Sequence, residues 1–232
     1  MCLYFLLMLM TDTSSAPTGP RRVLVFGGSG GVGRHVVEQA LGRGREVVAV
    51  VRSPGKLTVS DAKLTVVTAV LSDREAINAA VRGTDAVISA LGPSLDRRAT
   101  GMPLVQGTRN IVKAMAAAGV QRYVGMATPS LPDPHDRRSL LGTVVPLMGR
   151  QLLPRAYREL LAMSQIVIDS DLEWTIARFT RPTDGPARET VRAGFLGRDK
   201  LGAAITRADI ASFLLDQLED TRFIRAAPAI SN

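Results

Sequence analysis

Three glycines at a fixed spacing are the residues best placed to do chemistry. Gly27, Gly30 and Gly33 lie in Val23-Leu24-Val25-Phe26-Gly27-Gly28-Ser29-Gly30-Gly31-Val32-Gly33-Arg34-His35-Val36-Val37. The apolar run before them is short enough for a buried strand. Val36, Val37, Ala40 and Leu41 after them have helical spacing. Strand, glycine turn and helix together make a phosphate cradle. Gly27 lets the chain leave the strand in a tight turn. Gly30 lets the backbone approach a pyrophosphate, and Gly33 lets the helix pack close to the strand. The free N–H groups and positive dipole end of the helix then face the phosphates.

The second candidate group is cationic. Glu46 to Val51 reads as the next strand, with Arg52 at its carboxyl end and Lys56 close behind. Sites that select NAD carry an Asp or Glu here for the ribose 2′-hydroxyl. A guanidinium can instead form charge-assisted bonds to a 2′-phosphate and stack on adenine. The expectation is NADP in preference to NAD; the bland alternative for Arg52 is a solvated surface arginine.

Other chemistries find little support. Cys2 is the one cysteine, so neither an internal disulfide nor a thiolate cluster can form, which fits a reducing cytoplasm. His35 and His135 are far apart, and no metal site is expected. The net charge of +8 suits an anionic ligand. Nucleic acid is not an expected partner, because zinc-binding spacings, a recognition helix and aromatic-basic RNA motifs are all missing.

These residues need a frame. A chain of 232 residues suffices for one sizeable core. With 46% hydrophobic but only 4% aromatic residues, that core is built from Val, Leu, Ile and Ala, which suits a parallel sheet covered by helices. Residues 1–20 read as a loosely ordered extension. Its apolar Met1 to Met10 is too short to span a bilayer, so no stable membrane insertion is expected. Met10 is an alternative start, and a peripheral membrane anchor is the other reading. Residues 21–232 read as one α/β domain, a doubly wound parallel sheet with a small substrate-side region near the C-terminus.

Further strands are expected at Leu64 to Leu71, Asp85 to Ala90, Arg122 to Thr128 and Trp174 to Phe179. Helices are expected from Ser72, as N-cap with Glu75 in a capping box, and over Met102 to Ala118, Ala156 to Ser170 and Ala208 to Leu218. Residues 129–155 read as an irregular, proline-rich loop over a site. Residues 186–204 read as a small cap or short strand pair, and Phe223 to Arg225 as a possible last strand.

The Gly27-x-x-Gly30-x-x-Gly33 spacing resembles the glycine loop of the short-chain dehydrogenase/reductase superfamily. Further stretches narrow the resemblance: Ala49 to Lys56, Gly83 to Gly92, Gly107 to Val124, Leu172 to Arg178, Thr183-Asp184-Gly185-Pro186, Ile205 to Leu218 and the closing Ala227-Pro228-Ala229-Ile230-Ser231-Asn232. Together they resemble the atypical, NAD(P)H-binding members, near the NmrA-like and biliverdin reductase B/flavin reductase types. The resemblance implies a Rossmann fold. It also implies that Ser29, Gly30, Gly31 and Val32 lie along the pyrophosphate, and that Arg52 and Lys56 meet the 2′-phosphate. Ala90, Leu91 and Gly92 would line the ribose and nicotinamide, with Thr128, Phe179, Thr180 and Arg181 at the nicotinamide end. Two departures stand out. Ala69 occupies the position of an Asp that holds adenine, leaving adenine to Val70 and backbone. Phe179 replaces a Pro after the strand-six arginine, which could reshape the nicotinamide pocket.

Classical members place Tyr and Lys four residues apart on one helix. Tyr157 is followed by Arg158-Glu159-Leu160-Leu161, so the lysine is missing and Tyr157 reads as a packing residue. The resemblance to the flavin-reductase-like branch, in which hydride passes to a bound acceptor with little side-chain help, implies an NADPH-dependent reductase of a small-molecule acceptor, such as a flavin or quinone, by direct hydride transfer. Thr128 and Arg181 are the candidates for ordering the acceptor. The alternatives are a non-catalytic NADP-binding sensor of NmrA type and a sugar-nucleotide epimerase-like enzyme. A monomer or small homo-oligomer is expected.

Overall fold

The strand before the glycines is β1, Arg22–Phe26, and four of its five residues are buried. Because successive side chains point to opposite faces, Val23 and Val25 enter one core while Leu24 and Phe26 enter the other. The computed structural model describes residues 19–188 and 190–232. The expected extension at 1–20 therefore lies, through residue 18, outside the described residues.

The elements follow in order as helix α1 (Gly31–Gly42), strand β2 (Glu46–Val51), a single 3-10 turn at Pro54–Lys56, strand β3 (Leu64–Thr68), helix α2 (Arg74–Val81) and strand β4 (Ala86–Ser89). Next come helix α3 (Pro103–Ala118), strand β5 (Arg122–Ala127), and helices α4 (Leu140–Leu152) and α5 (Pro154–Ile168). Strands β6 (Glu173–Arg178), β7 (Arg181–Thr183), β8 (Arg192–Gly194) and β9 (Ala204–Thr206), helix α6 (Arg207–Asp216) and strand β10 (Ala229–Ser231) complete the chain.

The main sheet has the order β3-β2-β1-β4-β5-β6-β10-β8. Its pairs are parallel except β10 with β8, while β7 and β9 form a separate parallel pair. Val36, Val37 and Ala40 of α1 join Ile210, Ala211 and Leu214 of α6 in the core on one face. Ile77 of α2, Ile111 and Met115 of α3, and Leu160 of α5 fill the core on the other. This is the expected doubly wound Rossmann architecture, with the strand order reversing direction between β1 and β4, where ligands of such sheets bind.

Several local expectations are corrected. The cap of α2 is Asp73, not Ser72; its carboxylate accepts the Ala76 N–H at 3.0 Å, so there is no Ser72–Glu75 capping box. The third strand ends at Thr68, since only that far does β2 offer a partner. Residues 129–155 are not irregular throughout: Ser139 caps α4 by accepting the Gly142 N–H at 3.1 Å, and the helix runs through Pro146. Phe223 to Arg225 form a turn, and the last strand is Ala229–Ser231. The 186–204 region divides, with β8 extending the main sheet through β10.

At the amino edge of the sheet, Arg122 lies buried and donates to the Gln217 and Glu173 carbonyls and to Thr175 Oγ1. Burial lowers its pKa to about 10, with Glu173 and Asp220 opposing the shift. The cation ties the C-cap of α6 to β5 and β6.

Candidate nucleotide-binding site

The sheet's carboxyl edge gathers nearly every residue singled out from the sequence. Read across the strands, it presents Val70 after β3, Arg52 after β2, the glycine turn after β1, Ala90 to Gly92 after β4, Thr128 after β5 and Phe179 to Arg181 after β6. Five interstrand steps span roughly 24 Å. Backbone bonds lock neighbouring exits together: Ala90 N–H to the Phe26 carbonyl at 2.9 Å, Ala69 N–H to Val51 at 3.1 Å, and Phe179 N–H to Ala127 at 3.2 Å.

The glycine turn requires glycine for specific reasons. Gly27 has φ +77, and a Cβ there would lie 3.0 Å from the Ala90 carbonyl oxygen. At Gly33 a Cβ would be 2.0 Å from the Gly27 carbonyl oxygen, so no side chain fits. The Gly30 N–H closes the turn on that same oxygen at 2.9 Å. Gly30 is the N-cap of α1 and has no side chain to occupy the first-turn amides. This leaves donors for a ligand where the dipole is positive.

The structure adds a residue not singled out from the sequence. A Cβ on Gly31 would meet Arg207 Nε at 2.8 Å, so this guanidinium lies directly against the glycine turn. Arg207 begins α6, whose N-cap Thr206 accepts the Asp209 N–H at 3.1 Å. Arg207 also pairs with Asp184 at 2.6 Å. The sequence signal was the Thr183-Asp184-Gly185-Pro186 piece, but pairing it with residue 207 needs the fold. Asp209 collects the Thr206 hydroxyl at 2.6 Å, the Arg188 N–H at 3.0 and 3.1 Å, and the Asn232 side-chain amide. The closing Pro-x-Ile-Ser-Asn piece thus anchors the segment that follows β7.

A second buried cation organises the carboxyl ends of β5 and β6. Arg178 is fully buried and donates to Asp136 at 2.5 and 2.8 Å and to the Leu131 carbonyl at 2.9 Å. Burial pushes the Asp136 carboxyl up, but the Arg178 hydrogen bonds and charge, with the Leu196 and Asp133 amides, outweigh this and hold it below its ordinary value. The pair fixes the loop after Thr128 against β6. The Thr128 hydroxyl accepts the Ser130 N–H at 3.3 Å, leaving its own proton free to donate.

The other predicted residues are distributed as follows. Arg52 and Lys56 are exposed, and Val70 is 53% exposed beside buried Ala69. Val32 and Phe179 turn their side chains into the core on the α1 face. Thr180 and Arg181 are exposed, with the Arg181 N–H bonded to the Ala203 carbonyl at 3.2 Å. Tyr157 is half-buried, and its ring lies 3.1 Å from where a Cβ on Gly149 would stand, consistent with packing. Tyr123 is buried, and burial raises its phenol to about 12 despite a bond with Ser89. A cavity of about 470 Å³ lies farther along the β4 exit, between Ser94 to Arg97 and Gln151 to Ala156. Arg155 borders it, donating to the Ser94 and Gly101 carbonyls and pairing with buried Glu159 at 2.7 Å.

A model of the NAD(P)H-binding family matches residues 27–221, from the first turn glycine to beyond α6. The chain belongs to this NAD(P)H-binding family. It is similar to a 3-beta-hydroxysteroid dehydrogenase of Mycolicibacterium neoaurum, at 38% identity over 120 residues, 47% of this chain and 32% of that protein. It is also similar to a 3-diazoavenalumate denitrifying reductase of a Streptomyces species, at 31% identity over 80% of this chain and 66% of that one. Among solved structures, a short-chain dehydrogenase/reductase of Veillonella parvula in complex with NADP superposes with a TM-score of 0.71. That match has 15% identity and covers 92% of this chain and 95% of the other, and it shows the shared fold. The chain thus spans about a third of the steroid dehydrogenase's length. The family assignment agrees with the resemblance to atypical short-chain dehydrogenase/reductases.

Proposed function

We propose that this NAD(P)H-binding protein is an NADPH-dependent reductase of a small-molecule acceptor, a flavin, quinone or similar ring. The observation that carries this reading is the single row of exits, with the glycine cradle and Arg207 at its centre and Arg52, which pairs with no described residue, to one side. The cradle suits a dinucleotide, because glycine at 27 and 33 keeps the turn tight against α1 and Gly30 sets no side chain over the first-turn amides that a pyrophosphate would approach. Ser29, Gly31 and Val32 would donate backbone N–H groups to it, Gly30 would lie alongside with its own N–H closing the turn, and Arg207 would add charge. Arg52 and Lys56 have no ion-pair partner among the described residues, and both suit a 2′-phosphate. Val70 offers an apolar face for adenine in place of a carboxylate. Ala90 to Gly92 would border the ribose, and Thr128, Thr180 and Arg181 the nicotinamide end.

A nicotinamide bound there supplies a hydride. The protein's own residues would orient the acceptor and exclude water: Thr128 by its free O–H and Arg181 by its charge. No Tyr–Lys pair takes part. The reductase and dehydrogenase activities named for the similar proteins support an oxidoreductase. The packed ring of Tyr157 favours one second reading, a redox sensor that binds NADPH without turnover. The deciding experiment measures NADPH affinity by fluorescence, then NADPH oxidation against flavins, quinones and dyes. Tight binding with no turnover of any acceptor would sink the reductase reading and leave the sensor.

A further inference from the structure

The helix that follows the Thr128 loop has an unusual surface. None of the residues of α4 is buried, although most of them are Leu, Val, Met or Pro. Leu140, Val144, Leu147, Met148 and Leu152 are between 45% and 84% exposed. At 100° per residue the first four fall within about a third of the helix circumference, so they form one stripe. The main neighbour of α4 is α5, on the opposite side, where the Tyr157 ring lies against Gly149. Leu95, 68% exposed, extends the apolar surface across the mouth of the cavity beside the helix.

The charge along this stretch of chain is cationic. Residues 137–158 contain five arginines and no Asp or Glu. Arg155 is spent on Glu159. Arg137, Arg138, Arg150 and Arg158 are exposed and form no ion pair with a described residue. Asp96 and Arg97 of the β4–α3 loop line the cavity together with Gln151 to Ala156. A two-fold contact between copies would place this cationic rim against itself, which like charges oppose. An apolar stripe on a convex helix, bounded at both ends by arginine, suits a deformable anionic surface.

We propose that α4 docks the protein on anionic lipid bilayers, with Leu140, Val144, Leu147 and Met148 entering the headgroup–acyl boundary and Arg137, Arg138, Arg150 and Arg158 contacting lipid phosphates. The helix lies in the interface and does not span it; among the described residues no helix is long and apolar enough to cross a membrane. The proposal stands independently of the reductase reading, since it concerns a surface and not the acceptor.

The test is co-sedimentation of the full chain with vesicles of phosphatidylglycerol and phosphatidylcholine in equal parts, and with phosphatidylcholine alone. Binding is expected to the first and not the second, weakening as NaCl rises from about 0.1 M to about 0.5 M. Two variants separate the contributions. Leu147→Ser with Met148→Ser removes apolar contact, and Arg137→Gln with Arg138→Gln and Arg150→Gln removes charge. Each should lower partitioning about tenfold or more while the melting temperature and NADPH affinity stay unchanged. Equal binding to both vesicles, or to neither, overturns the proposal. So does binding that survives both variants, which would belong to another segment such as Met1 to Met10. A lipid-free dimer dissociated by Leu147→Ser with Met148→Ser would make the stripe an interface between copies and also overturn it.

Discussion

Truncating Asp136 should cost the fold more than truncating its partner Arg178, although both changes break the same pair. The reason is where each charge is left. In Asp136→Ala the guanidinium remains fully buried, with the Leu131 carbonyl at 2.9 Å as its sole surviving acceptor among the described residues. Its Nε already lacks a partner among the described residues. A buried charge stripped of its counterion costs roughly 3–5 kcal/mol. In Arg178→Met the carboxylate keeps the Leu196 N–H at 2.9 Å and the Asp133 N–H at 3.1 Å, and its side chain is 18% exposed to water. The methionine also refills much of the vacated space, so about 1–3 kcal/mol is expected. Urea unfolding of the cofactor-free protein checks the order. With a slope of about 2–3 kcal/mol per molar for a domain of this size, Asp136→Ala should move the midpoint down by roughly 1–2 M and Arg178→Met by about half that. The double variant should be more stable than Asp136→Ala alone, because it no longer buries an unpaired cation. Equal losses from the two single changes, or a double loss equal to their sum, would refute the argument.

The same pair sets an acid limit. Asp136 has a folded pKa below the ordinary 3.8, so its contribution is fully present above that value and is lost as pH falls through the folded pKa. Stability measured by thermal unfolding should therefore drop below about pH 4, with a smaller drop in Asp136→Asn. Arg52→Asp should weaken NADPH binding about tenfold or more and NADH binding little, as read by nucleotide fluorescence; equal losses would remove the 2′-phosphate role. Arg207→Ala should lower NADPH affinity about tenfold while leaving adenosine 2′-monophosphate binding unchanged, because only the dinucleotide carries the pyrophosphate. Gly33→Ala places a methyl 2.0 Å from the Gly27 carbonyl oxygen, so NADPH binding should be lost with a stability cost of about 1–3 kcal/mol; a normal dissociation constant would contradict the close packing.

Much of the frame was legible because the signals are local. An apolar run too short for a helix, a glycine turn, and apolar spacing of three to four residues identify β1 and α1 without reference to anything distant. The same holds for α3, expected from Met102 and found from Pro103, and for α6 with Thr206 as cap. Misreadings arose where two local signals competed. Ser72 and Asp73 are both good caps, and only the path of the chain after β3 selects Asp73. The prolines of 129–155 argued for a loop, yet Pro146 is carried inside α4, a helix with little buried surface to reveal it. Phe223 to Arg225 looked like a strand because it is apolar, but the Thr175 hydroxyl bond to the Phe223 carbonyl holds it as a turn.

The sequence by itself determined the cradle: which residues turn, where the helix dipole begins, and that a cation follows the second strand. Those features depend on neighbours within a few residues, so spacing encodes them. Only the tertiary structure decided which distant groups face the cradle. Arg207 reaches Gly31 across 176 positions of chain because α6 packs beside α1. Arg178 finds Asp136 because β6 lies next to β5 and the loop after Thr128 folds back over it. Such pairings are set by the order of strands in the sheet and by the need to neutralise a buried charge. No local pattern carries that information, because the two partners are brought together by the packing of everything between them.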